Sequence, residues 1–205
     1  MFKHVSIIAT GAAFVFAASL AAQPQDRQPT ASQQPPAKSS MPATRDTVSA
    51  AQQTSPAADE FLKNASQGNR AEIALGQLAA TKAANAEVKS YARMLVTDHT
   101  KANQEVTSIA RTKSVTLPTD LSAEQKSTKD ELTDLTGANF DRQFVDAMVK
   151  DHQKAVAAFQ EQTTSSDAQV KAFAAKTLPT LRHHLEEAQR LQKTVGAGAS
   201  SSSGK

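Results

Sequence analysis

Apolar residues recur in steps of three and four along four long stretches of this chain, with charged and amide side chains between them. Val88, Ala92, Leu95, His99, Ala102, Val106 and Ile109 mark one such face. Steps of this size keep side chains on one side of an α-helix. The pattern predicts long helices over about 57–83, 86–112, 140–162 and 168–195, and a shorter one ending near Leu135. Their ends carry matching signals. Ser55-Pro56 is a cap followed by a first-turn proline, Asn85 is a cap, and Ser122-Ala123-Glu124-Gln125 reads as a capping box. Gly137 is expected to end the short helix, and Ser165-Ser166-Asp167 to make a turn and cap. Gly68 and Asn69 weaken the first helix and predict a bend there. Pro179 predicts a kink within a continuing helix, because it lacks a backbone N–H and crowds the preceding turn.

The breaks near Asn85 and Ser166 are short, so each should fold two helices into an antiparallel hairpin. A longer connection carrying the short helix joins the two hairpins, which describes an all-α four-helix bundle over 56–195. Val88-Lys89 to Ala92 and Val170-Lys171 to Ala174 repeat one motif just after each turn, as a duplicated hairpin would.

The flanks read differently. Lys3 and His4 precede an apolar, Ala-rich run from Val5 to Leu20, and small residues follow at Ala21 and Ala22. This is the form of a cleaved secretory signal over 1–21, too short for a comfortable membrane span. It directs the chain to the periplasm, the outer envelope or the medium, with no span left after cleavage. Residues 22–55 are rich in Pro, Gln and Ser and read as a disordered linker; 196–205 read as a disordered Gly/Ser tail.

Composition narrows the chemistry. The chain has no Cys, which excludes thiolate zinc sites, iron–sulfur clusters, thiol catalysis, disulfides and lipidation at the signal junction. The formal net charge of +3 includes Lys3 of the signal, and no basic run or stripe offers a surface for nucleic acid. No glycine-rich phosphate loop or nucleophile elbow is present.

One pattern does carry chemistry. Val96, Asp98, His99, Lys101 and Ala102 recur as Val149, Asp151, His152, Lys154 and Ala155. His99 and His152 each sit on the apolar stripe of their helix, and Glu72 sits on the stripe of the first. His184 is expected on the flank of the Ala174, Leu178, Leu181, Leu185 and Ala188 stripe, several residues off level, with His183 pointing away. Glu72 and His99 lie at similar depths from their shared turn, and His152 lies mid-helix. Glu72, His99, His152 and His184 could therefore form one central layer, with Asp98 and Asp151 as flanking carboxylates. Nitrogen and oxygen ligands in a bundle suit a divalent transition metal: iron, manganese, zinc or copper. A lone histidine on an apolar face is more often a packed core residue, and a buried Glu opposite a His can be an ion pair that sets register. The Glu-x-x-His motifs of di-iron bundles are absent; the last helix shows the reverse, His184-x-x-Glu187.

Ala71-Glu72-Ile73-Ala74-Leu75-Gly76-Gln77-Leu78-Ala79, Val88-Lys89 and Asp98-His99-Thr100-Lys101-Ala102-Asn103 resemble one bacterial group of secreted proteins. Asp151-His152-x-Lys154 and Thr177-Leu178-Pro179-Thr180-Leu181-x-x-His184-Leu185 match its second half, so the resemblance spans roughly Ser55 to Lys193. That group is known as a domain of unknown function, and its members are often labelled outer-membrane or periplasmic proteins. The resemblance implies a ferritin-like bundle and supplies no activity. The reading preferred on sequence alone is a non-enzymatic exported bundle that acts through a protein partner or in envelope stress. The alternative is a metal-binding or redox bundle.

Overall fold

Ser55 opens the first helix as its pattern implies: its side-chain oxygen accepts the Ala58 N–H at 3.2 Å, and Pro56 takes the first turn. The computed structural model describes residues 55–200, with side chains to residue 196. The expected signal over 1–21, nearly all of the linker and the last five residues of the tail lie outside the described residues. Every regular element described is helical: α1 (Pro56–Lys82), α2 (Ala86–Thr112), α3 (Ala123–Asp134), α4 (Gly137–Gln162) and α5 (Ala168–Ser200). No helix among the described residues is long and apolar enough to cross a membrane.

The caps explain where the chain turns. Asn85 Oδ1 accepts the N–H groups of Glu87 and Val88 at 2.7 and 3.3 Å, and Asp167 Oδ1 accepts those of Gln169 and Val170 at 3.0 and 3.1 Å. Ser122 and Gln125 form a reciprocal capping box. Each satisfies backbone donors that a helix start leaves open. Gly68 and Asn69 lie inside α1, which is helical from Pro56 to Lys82. Two sequence expectations need revision. Gly137 does not end α3; it is the first residue of α4, at φ 58°, a value glycine reaches without a Cβ clash. And α5 takes in the first five residues of the expected tail.

The four long helices form a helical bundle in which α1 packs on α2, α4 on α5, α2 on α5, and α1 more loosely on α4. The short α3 contacts both α1 and α4. Two polar ties hold the hairpins together. The buried Asp141 carboxylate on α4 accepts the Ala84 and Asn85 N–H groups in the α1–α2 turn at 2.9 and 2.8 Å. Beyond α2, Lys113 Nζ donates to Asp167 Oδ2 at 2.5 Å.

The core has two apolar halves. One holds Leu75, Tyr91, Leu95, Phe140, Phe144, Met148 and Leu191; the other holds Phe61, Leu62, Val106, Ile109, Phe159, Phe173 and Leu181. Between them lies a buried polar layer of Ser66, Asn69, Glu72, His99, His152 and His184.

Candidate metal centre

Each long helix sends a side chain into this layer: Glu72 from α1, His99 from α2, His152 from α4 and His184 from α5. Their relative exposures are 6%, 5%, 1% and 0%. One nitrogen from each histidine lies within 4.8 Å of those from the other two. His184 is therefore level with the others and central to its helix face, with Ala174, Leu181, Ala188 and Leu191 above and below it. That corrects the expected flank position. Buried positions on α5 step by three and four through 181, 184, 188 and 191, leaving Leu185 half-buried. Helical side chains also lean toward their own N-terminus, so in an antiparallel pair the rings of His152 and His184 lean toward each other. His183 is exposed.

The outward side of each ring meets an acceptor. His99 Nδ1 lies 2.9 Å from Asn69 Oδ1, His152 Nδ1 lies 2.9 Å from the Met148 carbonyl oxygen, and His184 Nε2 lies 3.2 Å from Asp98 Oδ2. A carbonyl or carboxylate oxygen only accepts, so these ring nitrogens carry the protons. The bare nitrogens are then His99 Nε2, His152 Nε2 and His184 Nδ1. His99 Nε2 is buried with no partner, and His152 Nε2 faces His184 Nδ1 at 3.3 Å. Two lone pairs at that separation repel, and a cation between them would remove the repulsion.

The electrostatics of the layer agree. Burial pushes the Glu72 carboxyl up to about 8, with the Asp151 charge adding to it. Burial, helped by His184 and opposed by the Met148 hydrogen bond, pushes His152 down to about 4. Burial and the neighbouring rings push His99 well down. His184 is also lowered by burial, against the pull of Asp98. Glu72 Oε1 lies 3.9 Å from His152 Nδ1, a distance at which two charged groups would pair. Burial disfavours the charged form of both, and that nitrogen already donates to Met148. Glu72 Oε2 has no hydrogen-bond partner. The layer thus offers lone pairs and no positive charge, the donor set that a transition metal requires.

Asp98 stands behind His184, its side chain 29% exposed. Asp151 does not join the layer. It is half-buried, makes no hydrogen bond among the described residues, and lines a cavity of about 520 Å³ between α1, α3 and α4. Glu72, His99 and His152 also line that cavity. Asn69 was not singled out as a site residue. The signal was available, since it lies three residues before Glu72 and so on the same helix face.

A bundle of four long helices with a buried histidine layer is the class that fold and site define together. The chain belongs to the DUF4142 family, a domain of unknown function, whose family model matches residues 43–191. No curated protein matches it. Among solved structures it is similar to a DUF305 fragment from Deinococcus radiodurans, at 16% identity and a TM-score of 0.62, over 71% of this chain and 99% of that one. It is also similar to CopM in its Cu(II)-bound form, at 17% identity and a TM-score of 0.58, over 67% of this chain and 96% of that one. At these identities the likeness is one of fold.

Proposed function

We propose that this protein is an exported, non-enzymatic helical bundle that binds one transition-metal ion through His99, His152 and His184. One observation carries the reading: one nitrogen of each of three buried histidines lies within 4.8 Å of those of the other two, while Asn69, Met148 and Asp98 each offer an acceptor to one ring nitrogen. Outer hydrogen bonds of this kind orient metal-binding histidines and fix their tautomers. Copper is the ion to test first. Imidazole suits it, and CopM, of similar fold, holds Cu(II), Cu(I) and Ag in its solved forms. Kinship with ferritin-like bundles belongs to the same reading, supported by two hairpins with a long connection and donors aimed between the helices. The ligand set is histidine-rich, not the carboxylate-rich set of di-iron bundles.

The alternative, a polar layer kept only to set register through a Glu72–His152 pair, has less support, because His152 Nδ1 donates to Met148 at 2.9 Å while Glu72 Oε1 stands 3.9 Å away. The test is elemental analysis and thermal melting of the mature protein with and without Cu(II). One ion per chain is expected, with a gain of about 2.7 kcal/mol when free metal stands at about a hundred times Kd. In H99L/H152L both the ion and the gain should vanish while the helices stay folded. A wild-type protein that binds no metal and shows no thermal shift with copper, zinc, iron or manganese overturns the reading.

A further inference from the structure

We propose that the cavity beneath α3 is the route by which the metal reaches the histidine layer, and that Glu131, Asp146 and Asp151 in its wall form a transient cation site on the way. The inference rests on the metal-binding reading above and adds the path and the residues that steer the ion.

Two cavities approach the layer from opposite sides. The one between α1, α3 and α4, of about 520 Å³, ends on Glu72, His99 and His152. Two of the atoms at that end are unpartnered acceptors on side chains more than nine-tenths buried, Glu72 Oε2 and His99 Nε2. An arriving cation would displace no hydrogen bond from either. The other groove, of about 200 Å³ between α2 and α5, reaches His99 and His184 but not Glu72 or His152, and the outer nitrogen of His184 is already bonded to Asp98.

Charge separates the two routes further. In the α2–α5 groove the carboxylates are matched: Lys101 pairs with Asp98 at 3.5 Å and Lys176 with Glu105 at 2.8 Å. In the wall of the larger cavity, Lys150 and Lys154 both reach Glu124, at 3.7 and 3.4 Å. That leaves Glu131, Asp146 and Asp151 without a salt bridge among the described residues. Glu131 and Asp146 are exposed, Asp151 is half-buried and Glu72 is buried. Acidic side chains therefore line this cavity at increasing burial, and its carboxylates Glu124, Glu131, Asp146 and Asp151 outnumber Lys150 and Lys154 in the same wall. A cleft with an excess of one sign of charge raises the local concentration of the opposite ion and its on-rate.

The experiment is stopped-flow loading of the metal-free protein with Cu(II) alone, at low and at 0.15 M salt. E131Q/D146N/D151N is expected to load about tenfold more slowly at low salt. Its rate should depend less on salt, and it should reach the same final stoichiometry. E105Q, in the opposite groove, should load at the wild-type rate. A triple variant that loads as fast as wild type, or an E105Q as slow as the triple variant, overturns the route while leaving the metal site standing. A wild-type protein that holds no Cu(II) at equilibrium overturns both, and shows it before any rate is measured.

Discussion

Asn69 looks like a defect when the chain is read residue by residue, a poor helix former beside a glycine in the middle of α1. In the fold it fixes the ring of His99, while its own Nδ2 finds no partner. Asn69→Leu removes one unsatisfied amide but strips the buried His99 Nδ1–H of its acceptor, so metal-free stability should fall by about 1–3 kcal/mol. It should weaken metal binding about 10- to 100-fold, the usual loss when a ligand's outer hydrogen bond goes. A chelator-competition titration beside a thermal melt separates the two effects; unchanged affinity would mean that the Asn69 contact does not orient His99. Helical spacing alone put His99, His152 and Glu72 on apolar stripes. It could not separate Asp98, which backs His184, from Asp151, which lines a cavity, because the two occupy matching places in a repeated motif.

At the level of helix pairs, Gly76 shows how closely α1 and α2 approach. A Cβ at this position would lie 2.8 Å from Val96 Cγ2 and 2.9 Å from the Ala92 carbonyl oxygen. A valine rotamer can yield, but the backbone oxygen cannot without moving α2. Gly76→Ala should thus destabilise the protein by about 1–3 kcal/mol, despite alanine's better helix propensity, because overpacking outweighs it. Urea unfolding checks this; a more stable variant would show that the helices separate freely. The contact is invisible in the sequence, where Gly76 is one small residue among many alanines. The helix starts, by contrast, are local, and Ser55, Asn85, Ser122 and Asp167 are all recognisable from the few residues after them.

Across the molecule, the hairpins depend on polar ties as well as on the apolar halves of the core. Lys113 and Asp167 have side chains only 2% and 11% exposed. Burial pushes the Asp167 carboxyl up, but the Lys113 ammonium and the Val170 and Gln169 N–H groups outweigh it and hold the group below its ordinary value. The folded state therefore binds this proton less readily than the unfolded chain does. The stability it contributes is present above the ordinary aspartate value of about 3.9 and is lost as pH falls through the depressed folded value. Asp167→Asn keeps the cap and loses the charge. It should cost about 1.5–3 kcal/mol at pH 7, and the gap to wild type should close on acidification below about pH 3.9. Chemical denaturation at several pH values tests this; a pH-independent gap would count against the ion pair. The metal reading has the same long-range character, since His99 belongs to the first hairpin and His152 and His184 to the second.

Local rules were enough for the helices, their caps, the two hairpins and the stripes that carry Glu72, His99 and His152, because each depends on residues within a turn or two of one another. The meeting of these side chains is of another kind. It joins positions 72, 99, 152 and 184 through the packing of four helices, and it sets His184 level with the rest where counting residues from the turns had it offset. Proton placement, the raised Glu72 carboxyl and the cavity under α3 follow from burial and from partners distant in the chain. Desolvation and hydrogen bonding act through space, and no spacing along one helix encodes them.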